Sequence, residues 1–231
     1  MTPLRIAIIG PGRMGQAVAD GARARGDVVV TTLDARHPVT RESLAGADVA
    51  IEFTEPGAAA ANVLACIEAG CPCVVGTTGW YDALPRVVEA VAARGGAVLW
   101  SPNFSLGVQA LLQLVRRAGE IAERLSGFDP HIVEIHHAAK KDAPSGTAVM
   151  VREAFGSHAG REVPITSIRV GAVPGTHRLI LDGAFEQIEL SHEVRDRRVF
   201  ADGALVAARW LVGKHGVFTL ADVLADSETA A

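Results

Sequence analysis

Residues 4–18 read LRIAIIGPGRMGQAV. A short apolar run rich in β-branched residues passes directly into Gly10-Pro11-Gly12-Arg13-Met14-Gly15, and an amphipathic helical pattern over residues 14–25 follows. Strand, glycine turn, helix is the context in which G-x-G-x-x-G binds a dinucleotide. The first glycine permits the tight turn and the second lets the backbone approach a pyrophosphate. The third lets the helix press on the strand, with its first N–H groups aimed at the anion. Pro11 and Met14 complete the loop, and Arg13 stands where it can add a phosphate contact. A glycine-rich turn by itself can also be a plain structural turn. Asp34 separates the readings: it closes the next strand-like run, 19 positions beyond Gly15, where a carboxylate accepts hydrogen bonds from the adenosine ribose hydroxyls. Arg36, two residues on, can pair with a 2′-phosphate. NAD(H) and NADP(H) are therefore both expected, with NAD at least adequate.

Outward from this stretch, strand-like runs at residues 4–10, 28–33, 49–53, 72–75 and 97–100 alternate with helical patterns at 14–25, 58–68 and 83–94. Each helical pattern is followed by a glycine suited to a left-handed cap. Such alternation gives a Rossmann-type, doubly wound parallel sheet over residues 1–103. Ligands of such sheets lie across the carboxyl ends of the strands. The loops after the fourth and fifth strands, with Gly76, Thr77 and Thr78 and then Ser101, Pro102, Asn103 and Phe104, are thus candidates for the nicotinamide side; each is otherwise an ordinary turn.

Beyond residue 103 the pattern changes. A long helical stretch (108–125) precedes strand-like runs at 132–137, 165–170, 177–181 and 185–192, with further helical patterns at 146–155 and 197–211. The pairs joined by VPGT and by DG read as antiparallel hairpins. Residues 104–215 are expected to form a second α+β domain on a mostly antiparallel sheet, and residues 216–231 to pack back on the first.

The balance of 26 acidic against 22 basic residues, net charge -4, carries no block of like charge. It gives no support for nucleic-acid or membrane-surface binding. No apolar run approaches the roughly 18 residues of a membrane span, and the chain enters a strand at once, so a cytoplasmic protein is expected. Cys66, Cys71 and Cys73 form neither an even set nor a CxxC pair. They are expected to be reduced, buried thiols, and no metal site is expected.

The densest chemistry is EIHHAAKKDAPSGTA, residues 134–148. On a strand, His136 shares a face with Ile132 and Glu134, and His137 takes the opposite one. Either histidine alone is more readily structural than functional. Lys140 follows in a short loop from which its ammonium can reach back. Asp142-Ala-Pro-Ser-Gly-Thr then leads into a helix, with Ser145 as cap and the first-turn N–H groups of Gly146 and Thr147 at its open end. An acid/base pair beside an anion site suits hydride chemistry on an anionic imine or carbonyl, with the protein supplying a proton and charge clamps. Metal-ligand spacing and a GxSxG elbow are both lacking.

GPGRMG, GTTG, SPNFSLGV, EIHHAAKKDAPSGTA, Arg169 and Gly171 with GTH at residues 175–177, and FADGA with WL at residues 200–211 together resemble the 4-hydroxy-tetrahydrodipicolinate (dihydrodipicolinate) reductase family of lysine biosynthesis over nearly the full chain. The resemblance implies NAD(P)H-dependent reduction of the cyclic product of the preceding synthase, with loss of water. It implies His136 as acid/base residue, Lys140 as proton donor, and the substrate carboxylates held by His137, Gly146 and Thr147 together with Lys140; Ser145, at the same helix start, is expected to serve substrate binding as well as capping. It also implies residues 10–15 and Asp34 around adenosine and pyrophosphate, residues 76–78 and 101–104 beside nicotinamide, and a homotetramer built through the second domain's sheet. The chain departs from the family in a short connection between the second and third strands and in Ala35, where some members carry arginine. Both departures bear on cofactor preference. Two other readings stay open: another two-domain nicotinamide dehydrogenase, acting for example on aspartate, and a nucleotide sensor without turnover.

Overall fold

The computed structural model describes residues 2–124, 127–156 and 162–226. Chain contacts divide it into two compact units, Met1–Ser105 with Arg198–Ala231, and Leu106–Arg197. The first unit opens with β1 (Arg5–Ile9), α1 (Arg13–Ala24), β2 (Val28–Leu33), β3 (Val49–Glu52), α2 (Pro56–Ala69), β4 (Cys73–Val75), a 3₁₀ turn, α3 (Leu84–Arg94) and β5 (Ala97–Trp100). The second unit holds α4 (Leu106–Ala122), β6 (Phe128–His136), α5 (Gly146–Phe155), β7 (Ile165–Arg169), β8 (Thr176–Gly183) and β9 (Gln187–Glu193). The chain then returns to the first unit with α6 (Arg198–Leu211), β10 (Gly216–Thr219) and α7 (Leu220–Ala225).

Strand order in the first sheet is β10-β5-β4-β3-β1-β2, every pair parallel. Ile6, Ile8, Ile51 and Leu99 are wholly buried there, as a sheet covered on both faces requires. The order reverses at β1, with β2 on one side and β3 on the other, and the crevice beyond the carboxyl ends of those strands is where such folds take a ligand. The three cysteines are free and buried, and burial pushes the Cys71 thiol up to about 12.

The expected domain boundary is corrected. The sequence pattern assigns α6 to the second domain, whereas its contacts lie with α1, β3, β4 and β5. Small residues make that packing possible: a Cβ on Gly203 would stand 1.7 Å from the Phe104 carbonyl oxygen. An amphipathic helix fits either domain, so its pattern alone does not choose. The β10 strand also escapes pattern reading, because its four residues are all half-buried and do not alternate.

The second sheet runs β7-β6-β8-β9. The DG turn does join an antiparallel hairpin, β8 with β9. The VPGT turn does not: β7 pairs in parallel with β6, which lies between β7 and β8. After β6 the chain passes through α5 and returns as β7, a β-α-β connection that yields a parallel neighbour. The resulting registers matter for the site. Glu134 stands opposite His177 on β8, and His136 opposite Arg169 on β7. The end of the long helical pattern, Leu125, lies outside the described residues.

Candidate active site

Alternation along β6 turns Ile132, Glu134 and His136 inward, and all three are buried. His136 Nδ1 is hydrogen-bonded to Glu134 Oε2. The other carboxylate oxygen, Oε1, accepts from Arg169 Nη2 at 2.7 Å and from the Ser145 backbone N–H at 3.3 Å. Arg169 also donates to the Asp142 carbonyl at 2.6 Å, tying the loop after β6 to β7. Lys140 Nζ is paired with both Asp142 oxygens, at 2.8 and 2.9 Å.

Ser145 caps α5, its Oγ accepting from Ala148 N–H at 3.2 Å, and the same oxygen lies 3.3 Å from His177 Nε2. The Ser145 hydroxyl is therefore engaged as a cap. At the same helix end Gly146 is exposed and Thr147 half-buried. His136 and His177 meet edge to face with centroids 5.1 Å apart. His177 Nδ1 is buried without a hydrogen-bond partner among the described residues.

Burial governs the charge states here. It pushes the Glu134 carboxyl up, but the bonds from Arg169, Ser167 and His136 prevail and hold it at about 2. Burial lowers His136 against the pull of Glu134, and lowers His177 to about 4. Asp142 is held low by the Lys140 ammonium. Near neutral pH the site thus contains an ionised carboxylate beside two neutral imidazoles. Glu134, His136 and His177 offer ligand atoms within 4.8 Å of one another. Both oxygens of Glu134 are already bonded and a guanidinium sits against one, so the group suits proton transfer better than holding a cation.

In the first unit, a cleft of about 510 Å³ opens beyond the ends of β1 and β2, lined among others by Gly10, Pro11, Gly12, Asp34, Thr54 and Asn62. A Cβ on Gly10 would stand 2.2 Å from the Phe53 carbonyl oxygen, and one on Gly15 would stand 2.0 Å from that of Gly10. Those two glycines are required by the turn and by the close approach of α1 to β1. At Gly12 a Cβ would meet nothing within 4 Å, and α1 starts there with no side-chain cap and no acid in its first turn. Open space beside an uncapped helix start fits a pyrophosphate. Asp34 accepts from Arg36 N, Nε and Nη2 at 2.9, 3.1 and 2.7 Å and lies 2.8 Å from His37 Nδ1. Arg36 first, then His37, holds its carboxyl well below the usual range.

The remaining expected cofactor residues divide. Arg13, Thr78 and Pro102 are exposed, while Met14 and Asn103 are half-buried. Thr77 Oγ1 accepts from Thr54 N–H at 2.8 Å, and Ser101 Oγ donates to the Asn103 carbonyl at 2.7 Å. Phe104 is buried edge to face on Phe53. Gly76 has no room for a side chain against the Phe53 ring. The side chains of Thr77, Ser101 and Phe104 are thus taken up in shaping these loops.

Residues 4–104 match the family described as dihydrodipicolinate reductase, N-terminus, and residues 107–224 that described as dihydrodipicolinate reductase, C-terminus. The chain belongs to the dihydrodipicolinate reductase family. It is 34% identical to the 4-hydroxy-tetrahydrodipicolinate reductase of Christiangramia forsetii, covering 96% of this chain and 98% of that one. To the enzyme of that name from Stenotrophomonas maltophilia it is 40% identical over the same shares. In fold it is similar to a dipicolinate-bound dihydrodipicolinate reductase from Paenisporosarcina sp. TG-14, with TM-score 0.80 and 21% identity, covering 94% of this chain and 98% of that one. An aspartate dehydrogenase from Thermotoga maritima shares the fold more distantly, with TM-score 0.53 at 12% identity, over 92% of this chain and 98% of that one.

The sequence pattern points to His136 and Lys140 but assigns no role to Glu134, Arg169, His177 or Asp142. Glu134 was within reach, because period-2 alternation places it on the His136 face. Arg169 and His177 arrive by cross-strand register, which no local pattern specifies.

Proposed function

We propose that this chain reduces 4-hydroxy-tetrahydrodipicolinate to tetrahydrodipicolinate with loss of water, oxidising NADH or NADPH, in the diaminopimelate route to lysine. The observation that carries this reading is the buried Glu134–His136 pair beside the start of α5, in a chain of this reductase family. Bound NAD(P)H supplies the hydride. Gly10, Gly12 and the N–H groups opening α1 hold its pyrophosphate, and Asp34 its adenosine ribose. The loops at residues 76–78 and 101–104 serve the nicotinamide. NADPH is accommodated when Arg36 leaves Asp34 for the 2′-phosphate; Asp34 released from that pair serves NADH.

In the second unit the N–H groups of Gly146 and Thr147, with His137 and Lys140, bind the substrate carboxylates. Lys140 carries the proton to the ring, and His136 exchanges protons through its imidazole. The dipicolinate in the Paenisporosarcina enzyme, an aromatic dicarboxylate, is of the chemical class this site is built for.

The protein acts in the cytoplasm, where reduced nicotinamide is supplied and its three thiols stay reduced. It assembles as a homotetramer through the β7-β6-β8-β9 sheet, where Ile168 and Val170 are exposed. Sedimentation equilibrium should give four times the 24.1 kDa chain mass. The function itself is tested by absorbance at 340 nm with synthase-generated substrate and each nucleotide in turn. Oxidation of either supports the reading, and oxidation of neither overturns it.

A further inference from the structure

Glu134 takes no part in the proton and hydride steps above, yet His136, Arg169, Ser145 N–H and Ser167 all converge on its carboxylate. We propose that Glu134 is the positioning residue of this site, holding His136 in the tautomer with the proton on Nδ1 and the lone pair on Nε2.

The argument starts from valence. An ionised carboxylate only accepts hydrogen bonds, so the ring nitrogen facing it must be protonated. Glu134 is ionised throughout the neutral range, and burial keeps His136 neutral there. One proton on a neutral ring, placed on Nδ1, leaves Nε2 bare. The carboxylate is not free to turn away, since Arg169 and the α5 backbone hold its other oxygen. A Cβ on Gly175 would stand 3.0 Å from Nε2, so glycine at that position keeps a side chain from closing over this nitrogen. A proton accepted at Nε2 produces an imidazolium with N–H on both sides, and Glu134 faces the charge as it forms. Each cycle returns that proton, so Glu134 stays ionised and is not itself consumed.

This proposal rests on the acid/base role given to His136, and the decisive variant is Glu134→Gln. Its carbonyl keeps the Arg169 bond while its NH₂ turns to Nδ1, which must then accept. The proton moves to Nε2 and the ring presents a donor where an acceptor is needed. The expected result is a fall in kcat of about 10²-fold or more, with NADH binding unchanged. The limb of the kcat/KM profile that reports His136 should move to lower pH, because the carboxylate that raises it is gone. Imidazole ¹⁵N spectra, assigned by loss of signal in His136→Asn, should show Nδ1–H in the wild type and Nε2–H in Glu134→Gln.

A wild-type ring protonated on Nε2 overturns the proposal. So does a Glu134→Gln enzyme within about threefold of wild-type kcat, or one that loses turnover with its tautomer unchanged, which would mark Glu134 as merely structural. If Glu134→Gln does not fold, the wild-type spectrum decides. That spectrum needs no substrate, so a failed reductase assay and a failed tautomer prediction are separate results.

Discussion

Arg169 neutralises a carboxylate with no exposed surface, and the value of the pair lies in what its loss leaves behind. Burying two charges costs several kcal/mol each, and removing one partner strands the other in a low-dielectric setting. In Arg169→Met, Glu134 would keep its burial and lose the first of the bonds that hold it down. The expected loss of stability is about 3–5 kcal/mol at pH 7, measured by urea unfolding followed by circular dichroism. The loss should shrink toward acid pH, where Glu134 protonates and no stranded charge remains. Adding Glu134→Gln to Arg169→Met should recover most of it. A loss below about 1 kcal/mol in the single variant would mean that the pair behaves as a solvated surface bridge. Lys140 and Asp142 form the contrasting case, a partly solvated pair on a loop, where losing one partner leaves the other able to reach water.

Elements differ in how openly they declare themselves, and glycine is a useful probe of the difference. Gly12 and Gly203 both start or line helices of the first unit, but a methyl group has open space at Gly12 and meets the Phe104 carbonyl at 1.7 Å at Gly203. Gly203→Ala should therefore cost about 1–3 kcal/mol through forced separation of α6 from the loop after β5, seen as a lower melting temperature. Gly12→Ala should leave that temperature nearly unchanged and weaken NADH, measured by nucleotide fluorescence titration. If Gly12→Ala lowers stability as much as Gly203→Ala, the loop is a structural turn after all. The β1–α1 unit was legible because strand, turn and helix are contiguous and each glycine has a local task. The α6 partner and the β6–β7 pairing were not, since one depends on close approach between residues 104 and 203 and the other on a crossover that places β6 inside the sheet. The same holds for the site. His136, Lys140 and Ser145 sit in one fifteen-residue stretch, whereas Arg169 and His177 reach it only after the sheet has formed.

At the scale of the molecule, the two units carry different titratable loads. In the second unit, His136, His177 and His192 are all held below their usual values by burial, and Glu134 lies at about 2. From pH 6.5 down to about 4 the unfolded chain takes up a proton at His177 that the folded chain refuses. Protons then favour unfolding, and stability falls as pH falls by up to about 1.4 kcal/mol per pH unit for such a group. Below 4.5 Glu134 adds to the loss as unfolded chains protonate it first, until the folded carboxyl follows at about 2. The first unit's lowered carboxyl, Asp34, is a surface group whose bonds are screened by solvent. All three tryptophans, Trp80, Trp100 and Trp210, belong to the first unit. Urea unfolding between pH 4 and 8 should thus show the circular-dichroism midpoint, which reports both units, falling with acid ahead of the tryptophan-fluorescence midpoint. His177→Gln should flatten that fall between pH 6.5 and 4 and leave the part below 4.5 due to Glu134. Coincident midpoints at every pH would instead mean that the two units unfold as one, with the acid penalty of the buried histidines shared by the whole chain.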